Sequence, residues 1–119
     1  MFLKLDHHKL DIYSLSRELV KYCYVATKKF PADEKFGIVS QTRRTAVSVH
    51  LNISEGCSRK SGQERKRFFE VARGSAIEVD TAFQIAVDLE YTGKEELKEL
   101  GLCLVRCFSM LCKLIGPPD

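Results

Sequence analysis

Apolar residues recur along this chain with a helical period. Ile12, Leu15, Leu19, Tyr22 and Ala26 are spaced 3, 4, 3 and 4 apart, which sets them on one stripe of a helix. Phe30-Pro31 ends this run, because a residue before proline avoids helical backbone angles. A second run, roughly 32–55, places Phe36, Val39, Ala46, Val47 and Ile53 on one side and stops at Gly56, where a left-handed backbone is expected to close the helix. The third spans about 62–91. Its main stripe is Phe68, Ala72, Ser75, Val79, Ala82, Ala86 and Leu89, and a second one holds Phe69, Ala76 and Phe83. The fourth carries Leu97, Leu100, Leu104, Phe108, Leu111 and Ile115 before Gly116-Pro117-Pro118, a strong stop. No strand pattern of useful length appears.

Two capping boxes mark the helix starts. Ser61-Gly62-Gln63-Glu64 opens the third helix, and Thr92-Gly93-Lys94-Glu95 is expected to open the fourth. In such a box the hydroxyl accepts from the N–H three residues on, and the Glu reaches back to the cap. The expected links are short, about five residues between the second and third helices and one to three between the third and fourth. Short links make neighbours antiparallel. The pattern predicts an all-α, up-down-up-down four-helix bundle, with residues 1–119 forming a single domain.

The apolar surface is more than one such bundle needs. The clear polar residues of the fourth helix, Lys98, Glu99, Arg106, Ser109 and Lys113, fit within an arc of roughly 100°. A bundle helix buries a stripe not much wider than that, so the excess on the third and fourth helices predicts a homo-oligomer.

Charge adds a direction to the molecule. The net charge is +3 over 119 residues. Residues 57–73 carry Arg59, Lys60, Arg65, Lys66, Arg67 and Arg73 against Glu64 and Glu70, a local +4. Residues 74–119 carry four basic residues against eight acids, a local −4. One end of the bundle is therefore expected to be basic and the other acidic, and the six cations are the candidate nucleic-acid-binding residues. The five cysteines form no CxxC pair, and no signal peptide or run of about 18 apolar residues occurs, so a cytoplasmic protein with reduced thiols and no membrane partner is expected. In that compartment Asn52-Ile53-Ser54 is a chance triplet.

Polar residues on the apolar arcs are candidate chemistry. Arg43 and His50 sit seven apart on the second helix, and Glu78 flanks the arc of the third. Antiparallel packing about a turn near residue 58 brings position 39 near 78 and 43 near 74, so Arg43 is expected to reach Glu78 as a structural ion pair. No nucleophile, metal spacing or phosphate loop accompanies them. The expectation is a protein that is not an enzyme, with no cofactor and no metal.

The segments FPADEKFGIVSQTRRTAVSVHLNISEG and RFFEVARGSAIEVDTAFQIAVDLEY resemble the four-helix-bundle family of 23S rRNA intervening-sequence proteins, which includes the accessory protein of diversity-generating retroelements. The matching positions are Phe30, Pro31, Glu34, Phe36 and Gly37, then Gln41, Arg43, Arg44 and Ser48, then Asn52, Ile53, Glu55 and Gly56, and finally Ala72, Gly74, Ser75 and Glu78. The resemblance covers about residues 9–115. His50 stands where many relatives have proline, Thr45 and Ser54 where alanine is usual, and Ala82 where glutamine is common. What it implies is assembly into a barrel-like homopentamer. For partners it implies RNA met through the basic turn or, alternatively, a nucleic-acid enzyme such as a retroelement reverse transcriptase.

Overall fold

The computed structural model describes residues 1–118. Its helices are α1 (Asp11–Thr27), α2 (Ile38–Ser58), α3 (Gly62–Asp88) and α4 (Lys98–Ile115), with 3-10 turns at Asp6–Lys9 and Ala32–Glu34. Among the described residues there is no strand. Each helix runs antiparallel to the next, and α1 closes the square against α4. The core is one cluster, with Leu19, Val49, Ile53, Val79 and Leu111 fully buried inside it.

α1 buries Ile12, Leu15 and Leu19 of the expected stripe, but continues it with Cys23, while Tyr22 and Ala26 are only partly buried. Beyond it Phe30 folds back onto the core, 6.2 Å from the Phe83 ring and 5.6 Å from Tyr91. The second helix starts later than its apolar pattern suggests. Gly37 has φ −103° and ψ −117°, which no helix continues through, so 32–37 forms a turn and a bend. Phe36, expected on the buried side, is consequently 90% exposed.

Gly56 does not end α2. It is helical, and the chain continues to Ser58. Its value lies in the absence of a side chain: a Cβ there would lie 2.7 Å from Phe69 Cε1 and 3.2 Å from Phe68 Cβ, closer than packed carbons tolerate. The three residues 59–61 then turn the chain. Ser61 caps α3, its Oγ accepting from Glu64 N at 3.2 Å, as the first capping box predicts.

The core stripe of α3 is Phe69, Ala72, Ala76, Val79, Phe83 and Ala86. It combines the two stripes read from the sequence, and Phe69 rather than Phe68 is the buried aromatic of the first turns. The helix ends earlier than position 91. Glu90 takes φ 63°, while Glu90 N donates to Val87 O and Tyr91 N to Ala86 O. This is a Schellman ending with a glutamate where glycine is usual. Thr92 then caps nothing. Residues 89–97 form a longer link than expected, because Tyr91 is drawn onto Phe30 and donates to Glu34 Oε2 at 2.8 Å. α4 starts at Lys98 without a side-chain cap and buries Leu100, Cys103, Leu104, Cys107, Leu111 and Ile115.

Candidate nucleic-acid interface

The antiparallel topology collects three segments at one end of the bundle: the α2–α3 turn, the C-terminus of α4 and the N-terminal 3-10 turn. Lys66 Nζ donates to Pro117 O at 3.2 Å, and His7 Nε2 lies 3.2 Å from Ser54 Oγ near the end of α2. Lys113, in the last turn of α4, and Lys9, on the N-terminal turn, therefore share an end with the 59–67 cations. Charge counting along consecutive residues could not find these two. The signal that could is the topology itself, since α4 must finish where α3 begins.

The six candidate cations divide by what their charged ends touch. Arg65 is structural: Nη1 donates to Cys57 O at 2.9 Å and to Arg59 O at 3.3 Å, tying the turn shut, and its guanidinium sits 5.8 Å from the Phe69 ring. Arg73 reaches across to α4 and donates to Cys112 Sγ at 3.8 Å. Arg59 lies over the Phe68 ring at 5.0 Å and pairs with Glu55 at 3.0 Å. That exposed pair leaves the guanidinium wet, and such pairs contribute about 0–1 kcal/mol. Lys60 and Arg67 are exposed, with no polar contact among the described residues. The available charge is thus concentrated at Arg59, Lys60 and Arg67, beside the Lys66 ammonium. The opposite end is acidic, with Glu90, Glu95, Glu96 and Glu99 around the α3–α4 link and Glu96 paired to Lys29 at 3.6 Å.

The expected pairing of Arg43 with Glu78 does not form. Arg43 lies on the flank of α2 that faces α1. Its Nε donates to Thr27 Oγ1 at 2.9 Å and its Nη2 to Tyr24 O at 3.2 Å, with the guanidinium 4.6 Å over the Tyr24 ring. Glu78 faces water on the outside of α3. Seven-residue spacing fixes a face of a helix but not which of two neighbours its flank meets. Midway along the α2–α3 seam a polar contact does form, between Ser48 and Ser75 at 3.1 Å.

His50, the other polar residue on the α2 arc, lies with Nδ1 2.8 Å from Ser16 Oγ. Ser16 is fully buried, so this serine–histidine contact presents no nucleophile to a substrate. All five cysteines are free thiols. Burial, and then the neighbouring Cys103, push Cys23 up to about 12, and a hydrogen bond with Cys103, and then burial, raise Cys107. Both stay protonated and unreactive. Among the described residues no cluster of three or more His, Cys, Asp or Glu is placed to hold a metal, and no helix is long and apolar enough to cross a membrane.

One further surface is uncovered. Between α3 and α4 runs a groove of about 340 Å³ lined by Ala76, Ile77, Asp80, Leu104, Val105 and Phe108. Val105 is 66% exposed on its rim.

An all-α bundle with a cationic end and a bare apolar flank is the class that this geometry defines. The family model for 23S rRNA-intervening sequence protein matches residues 8–113, and the chain belongs to that family. The bundle is also similar to the crystal structure, at 1.70 Å resolution, of a protein with unknown function from the S23 ribosomal protein family of Bacteroides thetaiotaomicron VPI-5482. The TM-score is 0.79 and the identity 17%, with 89% of this chain and 99% of that one covered. At that identity the likeness establishes the fold alone. No curated protein matches the sequence.

Proposed function

We propose that the protein is a non-enzymatic, oligomeric scaffold that binds structured RNA through the basic end of the bundle. The observation that carries this reading is the wet cluster of Arg59, Lys60 and Arg67 on a turn braced by Arg65. The turn and the start of α3 hold Lys60 and Arg67 without a partner carboxylate among the described residues, and Arg59 stays exposed despite its pair with Glu55. Such a patch contacts phosphates with little regard to sequence and releases counterions as it binds. Repeating it around an oligomer multiplies the local concentration of sites. The other cations at this end, Lys9 and Lys113, extend the footprint.

The test is fluorescence anisotropy with a labelled RNA hairpin at about 50 mM and about 200 mM salt. Wild type is expected to bind more weakly at the higher salt. The triple variant Arg59→Gln/Lys60→Gln/Arg67→Gln is expected to keep its helical content while losing affinity. Its salt dependence should flatten by about one unit of logarithmic slope for each phosphate that is no longer neutralised. Unchanged affinity and slope would remove this patch from the site. A second reading, that of a protein module for a nucleic-acid enzyme such as a reverse transcriptase, is favoured by the bare apolar groove of Ile77, Val105 and Phe108. That reading takes over should wild type fail to bind the hairpin at low salt.

A further inference from the structure

The first ten residues are held to the bundle in an unusual way. Met1, Phe2, Leu3, Leu5 and Leu10 are exposed, and the 3-10 turn Asp6–Lys9 has no buried residue. Apolar burial therefore does not hold this segment down. A file of rings does. His7 meets Ser54 of α2 and stands edge-on to His8 at 4.9 Å. The His8 ring lies 4.8 Å from Tyr13, inclined by 32°, and the Tyr13 ring lies 4.6 Å from His50. His50 is anchored below by Ser16, whose hydroxyl also donates to Tyr13 O at 3.1 Å.

The electrostatic setting is one-sided. His8 faces His7, the α-amino group and Arg17; His50 faces Arg17 and His8. Of the acids on the packed elements, Asp6 lies on the turn itself, Asp11 opens α1 and Glu55 of α2 is paired with Arg59. The hollow beside His8 and Tyr13 is lined by Arg17, Glu18 and Lys21. Charge on His8 or His50 is disfavoured beside Arg17, with the two rings separated only by Tyr13.

We infer that residues 1–10 form an arm clamped to α1 and α2 by a file of histidine and tyrosine rings and released when His8 and His50 take up protons. Burial, followed by the neighbouring cationic groups, holds His8 and His50 below the ordinary histidine value. The sign follows from proton linkage. The free arm binds protons more readily than the clamped one, so the clamp is complete above about pH 6.5 and weakens as the pH falls through that value. Protonated His50 can keep its hydrogen bond to Ser16, so it is charge between the rings that opens the arm. Release bares Tyr13 and adds positive charge to an end that is already basic, independently of whether that end binds RNA.

Heteronuclear NOE measurements on the ¹⁵N-labelled full chain test this at about pH 7.5 and about pH 5. At the higher pH the amides of residues 5–9 are expected to be nearly as rigid as those of α1. At the lower pH they should fall to values typical of free chain ends, while α1 to α4 are unaltered. In the triple variant His7→Gln/His8→Gln/His50→Gln, arm mobility should no longer change between the two conditions. His8→Gln alone, on the half-exposed outer ring, should move the midpoint without touching the core. An arm that is mobile at both pH values in wild type, rigid at both, or released with an unshifted midpoint in the triple variant overturns the inference.

Discussion

Glu90 is the one non-glycine residue among those described with a positive φ, at 63°. The left-handed backbone crowds a Cβ against the following carbonyl, at roughly 1–2 kcal/mol for an L-residue. Its carboxylate makes no hydrogen bond or ion pair among the described residues to offset this. Glu90→Gly is therefore expected to stabilise the fold by about 0.5–1 kcal/mol, part of the relief being lost to the greater freedom of glycine in the unfolded chain. Thermal unfolding of the two proteins side by side measures it, and a lower midpoint for the glycine variant would contradict the strain argument. Nothing in the local sequence announces this position. Thr92-Gly93 reads as a helix start, and only the pull of Phe30 and Glu34 on Tyr91 explains why the chain turns sooner.

Helices are where the sequence was most informative. Periodicity located all four and identified most core positions of α1 and α4, because an apolar stripe is a local property of spacing. It was less decisive on α3, where Phe68 and Phe69 both extend plausible stripes. The choice falls to Phe69 because Gly56 leaves a hollow for its ring on the neighbouring helix. The same limit governs Arg43. Its position beside Thr27 and Tyr24 makes it part of the α1–α2 seam, so Arg43→Ala should be destabilising by about 1–3 kcal/mol, since the Thr27 hydroxyl and Tyr24 carbonyl lose a charged donor. Glu78→Ala, on the wet face of α3, should stay within about 0.5 kcal/mol of wild type. Chemical denaturation of both single variants and the double variant checks this, with additivity expected because the two residues do not meet.

For the molecule as a whole, the basic end was readable from charge runs, whereas its full membership was not, because Lys9 and Lys113 join it only through the antiparallel order of the helices. The uncovered groove of Ile77, Val105 and Phe108 belongs to the same scale. A surface of this kind is expected to be covered in solution, so light scattering should give a mass well above the 13.5 kDa of one chain, five times it if the number of copies that the family resemblance implies holds. A clean monomer would count against the oligomeric reading. The hairpin of α2 and α3 has a kinetic consequence. These two long helices are joined by only three residues, and they share the most extensive seam in the bundle. The seam between α1 and α4, by contrast, must wait for the two extremes of the chain to find each other. Contacts between nearby residues form early because they close small loops. The hairpin should thus be the folding nucleus. Gly56→Ala, which crowds Phe69 at its closest point, should chiefly slow refolding in stopped-flow experiments. Leu111→Ala, in the core of α4, should chiefly hasten unfolding.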